Sequence, residues 1–230
     1  MPEQTWSSAG FLDATVHGLL GLQIDALDRR LLFAPHLPAQ WNDLSIEHLH
    51  LSGAAEISLK LHRTATGTTL QIDNRGDAFR CEFTPELPWG AKLRQSTLNG
   101  RDAPVELQQH AQEADAHAAF EVPHGESVLH LDFEGGVSVI PDQSVPIIGE
   151  ASSGIRIVGV HLDGHVLSLD IDAPSTHESR IFLQTAWSVA SARGVATNPK
   201  SDGEIELICA ANDKAREPYH RVHAIVEFKP

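Results

Sequence analysis

Fourteen histidines and 31 carboxylates are spread along this chain of 230 residues, and few of them sit at a spacing that does chemistry. His48 and His50 would place two rings on one face of a strand, a spacing some zinc sites use. No cysteine or acid is placed to complete that set, so neither a metal nor a cofactor is expected. His161 and His165 flank a turn and should point to opposite faces, and Tyr219-His220-x-x-His223 alternates likewise. Ordinary, partly exposed imidazoles are the expectation for all of them. Serine, histidine and aspartate occur without a Gly-x-Ser-x-Gly elbow, and there is no glycine-rich phosphate loop. Cys81 and Cys209 lie in strand-like runs, 79–83 and 205–209, and are expected to be buried free thiols, with a disulfide between them left open. Trp41, Trp89, Trp187 and Tyr219 could stack on a sugar ring. Flat polysaccharide-binding faces need several exposed aromatics in a row, and these four lie far apart in a chain only 6 % aromatic.

The composition excludes some classes of partner. Net charge is −14, from 31 acids against 17 Lys and Arg, and no basic stripe is present, so nucleic acid is not an expected partner. The same acidity argues against an anionic membrane surface. There is no apolar run long enough to span a bilayer. Met1-Pro2-Glu3-Gln4 is polar and acidic where a secretory signal would be basic and then apolar. A cytoplasmic location is expected if Met1 is the genuine start; otherwise the sequence leaves location open.

The elements that must position any site are mostly strands. From Leu44 onward the apolar residues alternate, with turns every ten residues or so, which predicts antiparallel sandwich units. Ile57, Leu59 and Leu61 form one inward face, Leu70 and Ile72 the next, then Phe79, Cys81 and Phe83. Ala118, Phe120 and Val122 follow, then Leu129, Leu131 and Phe133. Asn99-Gly100 predicts a type I′ turn, because both residues tolerate positive φ. Proline, serine and glycine concentrate over 136–153, which predicts a linker or crossover. Beyond it, Asp163-Gly164 predicts a two-residue turn pairing Leu162 with His165, Val160 with Leu167 and Val158 with Leu169. Asn198-Pro199 and Asp202-Gly203 read as further turns, among strands near 181–183, 187–189, 205–209 and 222–228. The fold class expected is therefore mainly β: antiparallel β-sandwich units preceded by one N-terminal α-helix. The expected divisions are 1–43 for the helix and connector, 44–135 for one sandwich, 136–153 for the linker, and 154–230 for a second sandwich.

The N-terminal helix does not match the rest. Ser7 or Ser8 reads as its N-cap. Leu12, Val16, Leu19 and Leu20 fall on one face, and Gly21 sits where a left-handed C-terminal residue belongs. The other faces are hardly more polar, with Asp13 and His17 the polar residues past the first turn. A helix that is apolar nearly all round is one buried on several sides. Nothing else in the chain reads as a helical layer able to bury it.

The run Glu3-Gln4-Thr5-Trp6-Ser7-Ser8-Ala9-Gly10, the helix, Leu20-Gly21-Leu22 and Arg30-Leu31-Leu32-Phe33-Ala34-Pro35-His36-Leu37-Pro38 carry a resemblance. They resemble the end of bacterial amylo-α-1,6-glucosidase, or glycogen-debranching-like, six-hairpin glycoside hydrolases. In that family a Gln-x-Trp-Ser motif opens the last helix of an (α/α)6 barrel. A Leu-Gly-Leu turn and a strand ending in Pro-x-Leu-Pro then lead into a C-terminal β domain. The resemblance covers about residues 3–41. It implies that residues 1–43 are the last barrel helix with its connector, and that the chain is the non-catalytic C-terminal part of such an enzyme. It also implies that Glu3 and Trp6 could contact a carbohydrate substrate in a complete barrel. Glycoside hydrolysis uses two carboxylates flanking the bond, and no second acid has a setting like that of Glu3. The expected partners are thus a carbohydrate, through the parent enzyme, and either the missing catalytic barrel or a second copy bound through the helix. Two alternatives stand beside this reading: a stand-alone carbohydrate-binding β-sandwich protein and a structural interaction module.

Overall fold

The structure, a computed structural model, describes residues 5–38, 40–51, 56–109, 114–142, 149, 154–200, 203–212 and 214–229. The protein is mainly β with a single helix at its N-terminus. It divides into two compact units, residues 1–87 with 93–134, and residues 88–92 with 135–230.

The first unit opens with α1, Thr5–Asp13, continued by a π-helical turn over Ala14–Leu19. Its strands are β1 (Leu22–Asp25), β2 (Arg30–Phe33), β3 (Asp43–His50), β4 (Glu56–Arg63), β5 (Gly67–Asn74) and β6 (Phe79–Phe83). They continue with β7 (Glu86–Leu87), β8 (Lys92–Leu98), β9 (Arg101–Asp102), β10 (Val105–Gln109), β11 (Ala114–Val122) and β12 (Gly125–Glu134). One sheet runs β1-β2-β6-β11-β10, with β7 beside β11, and the other runs β3-β4-β5-β12-β8-β9. Most neighbours are antiparallel, but β2 and β6 pair in parallel, Arg30 opposite Arg80 and Phe33 opposite Phe83. Every inward face expected from alternation is found: Ile57, Leu59, Leu61, Leu70, Ile72, Phe79, Cys81, Phe83, Ala118, Val122, Leu129, Leu131 and Phe133 are buried. Phe120 alone in that set is half-buried. Phe33 and Phe83 stack at 5.5 Å, and burial of each such ring stabilises the unit by about 1.5–3 kcal/mol.

The second unit holds β13 (Val137–Pro141), β14 (Arg156–Asp163), β15 (Val166–Pro174), β16 (Ser179–Thr185), β17 (Ser188–Arg193), β18 (Ala196–Pro199), β19 (Glu204–Cys209) and β20 (Tyr219–Lys229). Its sheets run β13-β16-β19-β18 and β14-β15-β20-β17. Their inner faces share a core of Leu167, Leu169, Ile171, Ile181, Leu183, Leu207 and Val226, each fully buried. Trp89 joins this unit through a reciprocal backbone pair with Val137, at 3.1 and 3.0 Å.

Several local expectations are corrected. Ser7 and Ser8 lie inside α1 rather than capping it. Leu22–Asp25 is strand β1 and Arg30 already begins β2, so the polar turn between them is 26–29, where Asp25 Oδ1 accepts the amides of Leu27 and Asp28 at 3.1 Å. Residues 137–141, placed in a crossover, form β13. Asn198-Pro199 ends strand β18 instead of turning, which Pro199 permits because β18 is a sheet edge. The hairpin register at β14–β15 also moves by two. Leu162 faces Leu167 and Val160 faces Leu169 across a Gly164-His165 turn. Gly164, at φ +57°, takes the first central position, as a type II′ hairpin requires. A bulge between Ile157 and Gly159 then turns Val158 outward, leaving it 54 % exposed.

Candidate functional site

The N-terminal helix is held at one end only. Gly21, at φ +56°, reverses the chain as expected, and a Cβ there would lie 1.8 Å from the Ala34 carbonyl oxygen. Ala34 donates its amide to the Gly21 carbonyl and His36 donates to that of Leu19, both at 3.0 Å. His36 Nδ1 lies 2.7 Å from Glu86 Oε1, and Leu37 is buried. Arg63 fastens the next corner by donating to the Pro38 and Trp41 carbonyls, each at 2.7 Å. Burial lowers the Arg63 pKa from its ordinary value.

Beyond that anchor nothing in the described chain covers the helix. Every residue from Ser8 to Asp13 is exposed, and the π-turn has no buried residue. Phe11 is 71 % exposed, Leu12 61 % and Val16 36 %. Ile24 and Leu27, in β1 and its turn, are 42 % and 96 % exposed. Five of the nine large exposed hydrophobic residues described thus fall within residues 11–27, so the uncovered apolar surface is concentrated there. The polar tracery on the helix is local: His17 Nδ1 meets Asp13 Oδ1 at 2.7 Å, and Thr15 Oγ1 donates to the Phe11 carbonyl at 2.8 Å. Glu3 lies outside the described residues. Trp6 is placed by its backbone in α1, and its side chain is likewise outside the description.

The histidine clusters do not converge on a common point: His48 and His223 each meet a single carboxylate, His220 lies beside the Ser175 hydroxyl and His165 packs on Trp187. A bulge in β3 between Ile46 and Leu49 breaks the alternation assumed for His48 and His50. His48 takes a left-handed φ of 59° and pairs with Glu56 at 3.1 Å. His223 pairs with Asp170 at 2.9 Å and His62 with Asp43 at 2.7 Å. Around Glu56 the outer face of β3-β4-β5-β12 forms a polar hollow of about 390 Å³. Four carboxylates line it against Lys60 and Arg75; Arg75 reaches both Glu56 and Asp73 at 3.3 Å, and Gln71 donates to Glu126 at 2.8 Å. An acid and a base with separated roles need carboxylates in unlike environments. Here Glu56 and Asp73 share one cation, Arg75, and the geometry sets neither carboxylate apart as the acid. Among the described residues no three His, Cys, Asp or Glu side chains are grouped to hold a metal.

The aromatics proposed for stacking are mostly structural. Trp187 packs against His165 at 4.7 Å and Phe228 at 5.6 Å. The Tyr219 ring lies under the Arg156 guanidinium at 4.3 Å, and its hydroxyl donates to the Gly154 carbonyl at 3.2 Å. Trp41 is 46 % exposed and belongs to the other unit. Cys81 and Cys209 are both free and buried. Burial raises the Cys81 thiol, as does the neighbouring Glu82 charge, and burial pushes Cys209 up to about 11.

The strand pattern left one feature unread. Under the β8–β9 hairpin is a cavity of about 510 Å³, lined by Leu98, Arg101, Asp102, Phe120 and Leu129 among others. The signal for it was Ala118, a small residue on the inward face that borders it.

No protein-family description matches the sequence, and no curated protein matches it. Among solved structures the chain is similar to the crystal structure of Ara127N-Se, a GH127 β-L-arabinofuranosidase from Geobacillus stearothermophilus T6. The TM-score is 0.37 and the identity 12 %, over 96 % of this chain and 36 % of that one. The chain therefore spans about a third of that enzyme's length.

Proposed function

We propose that this protein is a non-catalytic β region of a glycoside hydrolase, one resembling amylo-α-1,6-glucosidases and acting on α-glucan-type carbohydrate. Its helix docks against the helical catalytic barrel that does the chemistry. The observation that supports this most is the uncovered helix, with Phe11 and Leu12 more than half exposed. Covering such side chains stabilises an assembly by about 1.5–3 kcal/mol each. The sequence motif Gln4-x-Trp6-Ser7 at the start of that helix gives the direction. In the docked state Glu3 and Trp6 would meet the carbohydrate, while the β units buttress the barrel.

Two measurements test this. The purified chain should hydrolyse maltooligosaccharides, glycogen and aryl glucosides no faster than buffer; turnover that vanishes when one of its acids is replaced would overturn the non-catalytic assignment. Genomic sequence upstream of Met1 should encode a six-hairpin barrel, in frame or as an adjacent gene. Absence of such a barrel, together with a chain that pairs with its own copy through Phe11 and Leu12, would replace barrel docking by self-association.

A further inference from the structure

The cavity under the β8–β9 hairpin has the construction of a small-ligand site. Phe120 and Leu129 form its floor, from the facing strands β11 and β12. Phe120 shares the inward face with Ala118 and Val122 but, unlike them, remains half-buried, because the cavity opens beside it. The roof is fixed in place. Asn99 and Gly100, at φ +52° and +75°, make the tight turn. The Asn99 amide donates to the Val128 carbonyl at 2.8 Å, and the Val128 amide donates to Asn99 Oδ1 at 2.8 Å. The Ala103 amide donates to the Ser96 carbonyl at 3.0 Å. The site is thus already formed, and its volume of about 510 Å³ lies in the range of about 300–1,000 Å³ common for small-molecule sites.

The rim sets the ligand chemistry. Arg101 and Asp102 both line the cavity; their backbones pair with Leu98 and Thr97, while neither side chain has a hydrogen-bond or ion-pair partner among the described residues. Their charges oppose each other, so the rim offers little net attraction to an anion or a cation. It offers donors and acceptors side by side, five N–H groups on the guanidinium and two oxygens on the carboxylate. Vicinal hydroxyls, each a donor and an acceptor, match that pairing. The apolar floor with its one phenyl ring matches a ring whose C–H face is apolar. We propose that this cavity binds one neutral sugar ring, with Arg101 and Asp102 holding adjacent hydroxyls and Phe120 and Leu129 covering the ring. The carbohydrate reading above guides the choice of probes but the helix plays no part, so docking and sugar binding can fail separately.

The test is an NMR titration of the full chain with the methyl glycosides of glucose, galactose, xylose and arabinose, and with cyclohexanol as an apolar ring. At least one glycoside should shift the Phe120 and Leu129 resonances, with a dissociation constant of about a millimolar. The double variant Arg101→Ala/Asp102→Ala should weaken that binding about tenfold, since it removes charge-assisted hydrogen bonds, and should leave cyclohexanol unaffected. Ala118→Leu, which fills the floor, should abolish both. If Ala118→Leu fails to fold, the double variant at the exposed rim still decides the outcome. No glycoside shift, shifts confined to other surfaces, or sugar binding that ignores the double variant would each overturn the proposal.

Discussion

Removing residues 1–20 should cost this protein less stability than shortening a single core leucine. The reason is the burial pattern of the helix. Leu19 and Leu20 are mostly buried and no other apolar side chain of the described helix is better covered. Two leucines each about two thirds to nine tenths buried amount to roughly one and a half buried side chains, about 2–5 kcal/mol. The bond from the His36 amide to the Leu19 carbonyl adds about 0.5–1.5 kcal/mol. Against this stands the entropy of ordering the helix, about 1–2 kcal/mol per residue, only partly offset by its internal hydrogen bonds. The net loss should be under about 2 kcal/mol, a shift of no more than about 4–8 °C in a protein of this size. The cut falls before Gly21 because Gly21 and Leu22 are buried, and Leu22 pairs with Phe33. The comparison is Leu31→Ala, at a fully buried side chain, which should cost about 2–5 kcal/mol. Thermal melts followed by circular dichroism give both numbers, and light scattering should show that the truncated chain has lost any association. A truncated chain that melts lower than Leu31→Ala, or that loses its strand signal, would refute the reasoning and make the helix part of the core.

Gly21→Ala should destabilise by about 2–3 kcal/mol in chemical denaturation, combining a left-handed alanine with loss of the Ala34–Gly21 bond; an unchanged midpoint would mean the corner is built differently. Native protein should not react with a disulfide reagent over minutes, and both thiols should react in denaturant, because Cys81 and Cys209 are buried and their thiolates disfavoured. Glu206 accepts hydrogen bonds from Lys200 at 3.0 Å and Asn198 at 2.8 Å, with Arg180 at 3.2 Å, and these partners, Lys200 first, hold its carboxyl below the usual range. A lowered folded pKa stabilises the ionised protein, fully above the ordinary carboxylate value of about 4.3 and progressively less as pH falls below it. Glu206→Gln should therefore lower the melting temperature slightly at pH 7, with the gap closing below about pH 4; a gap that widens in acid would contradict this assignment.

The sequence alone determined the parts that rest on local periodicity and sterics. Alternation placed Ile57-Leu59-Leu61, Leu70-Ile72 and Phe79-Cys81-Phe83 on buried faces, because a strand's side chains have a period of two whatever lies across from them. Asn99-Gly100 and Gly21 announced positive φ, since few other residues tolerate it. The helix announced its apolar surface in the same local way. Tertiary structure decided what depends on partners distant in sequence. The parallel meeting of β2 with β6 and the excursion of residues 88–92 into the second unit leave no periodic trace. The bulges at Glu47-His48 and Val158 re-aimed side chains that strict alternation had assigned to a face, because one extra residue shifts everything beyond it. The β14–β15 register moved because Gly164 satisfies either turn, and pairing across the sheet chose between them. The cavity beside Phe120 and Leu129 is lined jointly by β11, β12 and the β8–β9 hairpin, a relation between two sheets that no single stretch of chain contains.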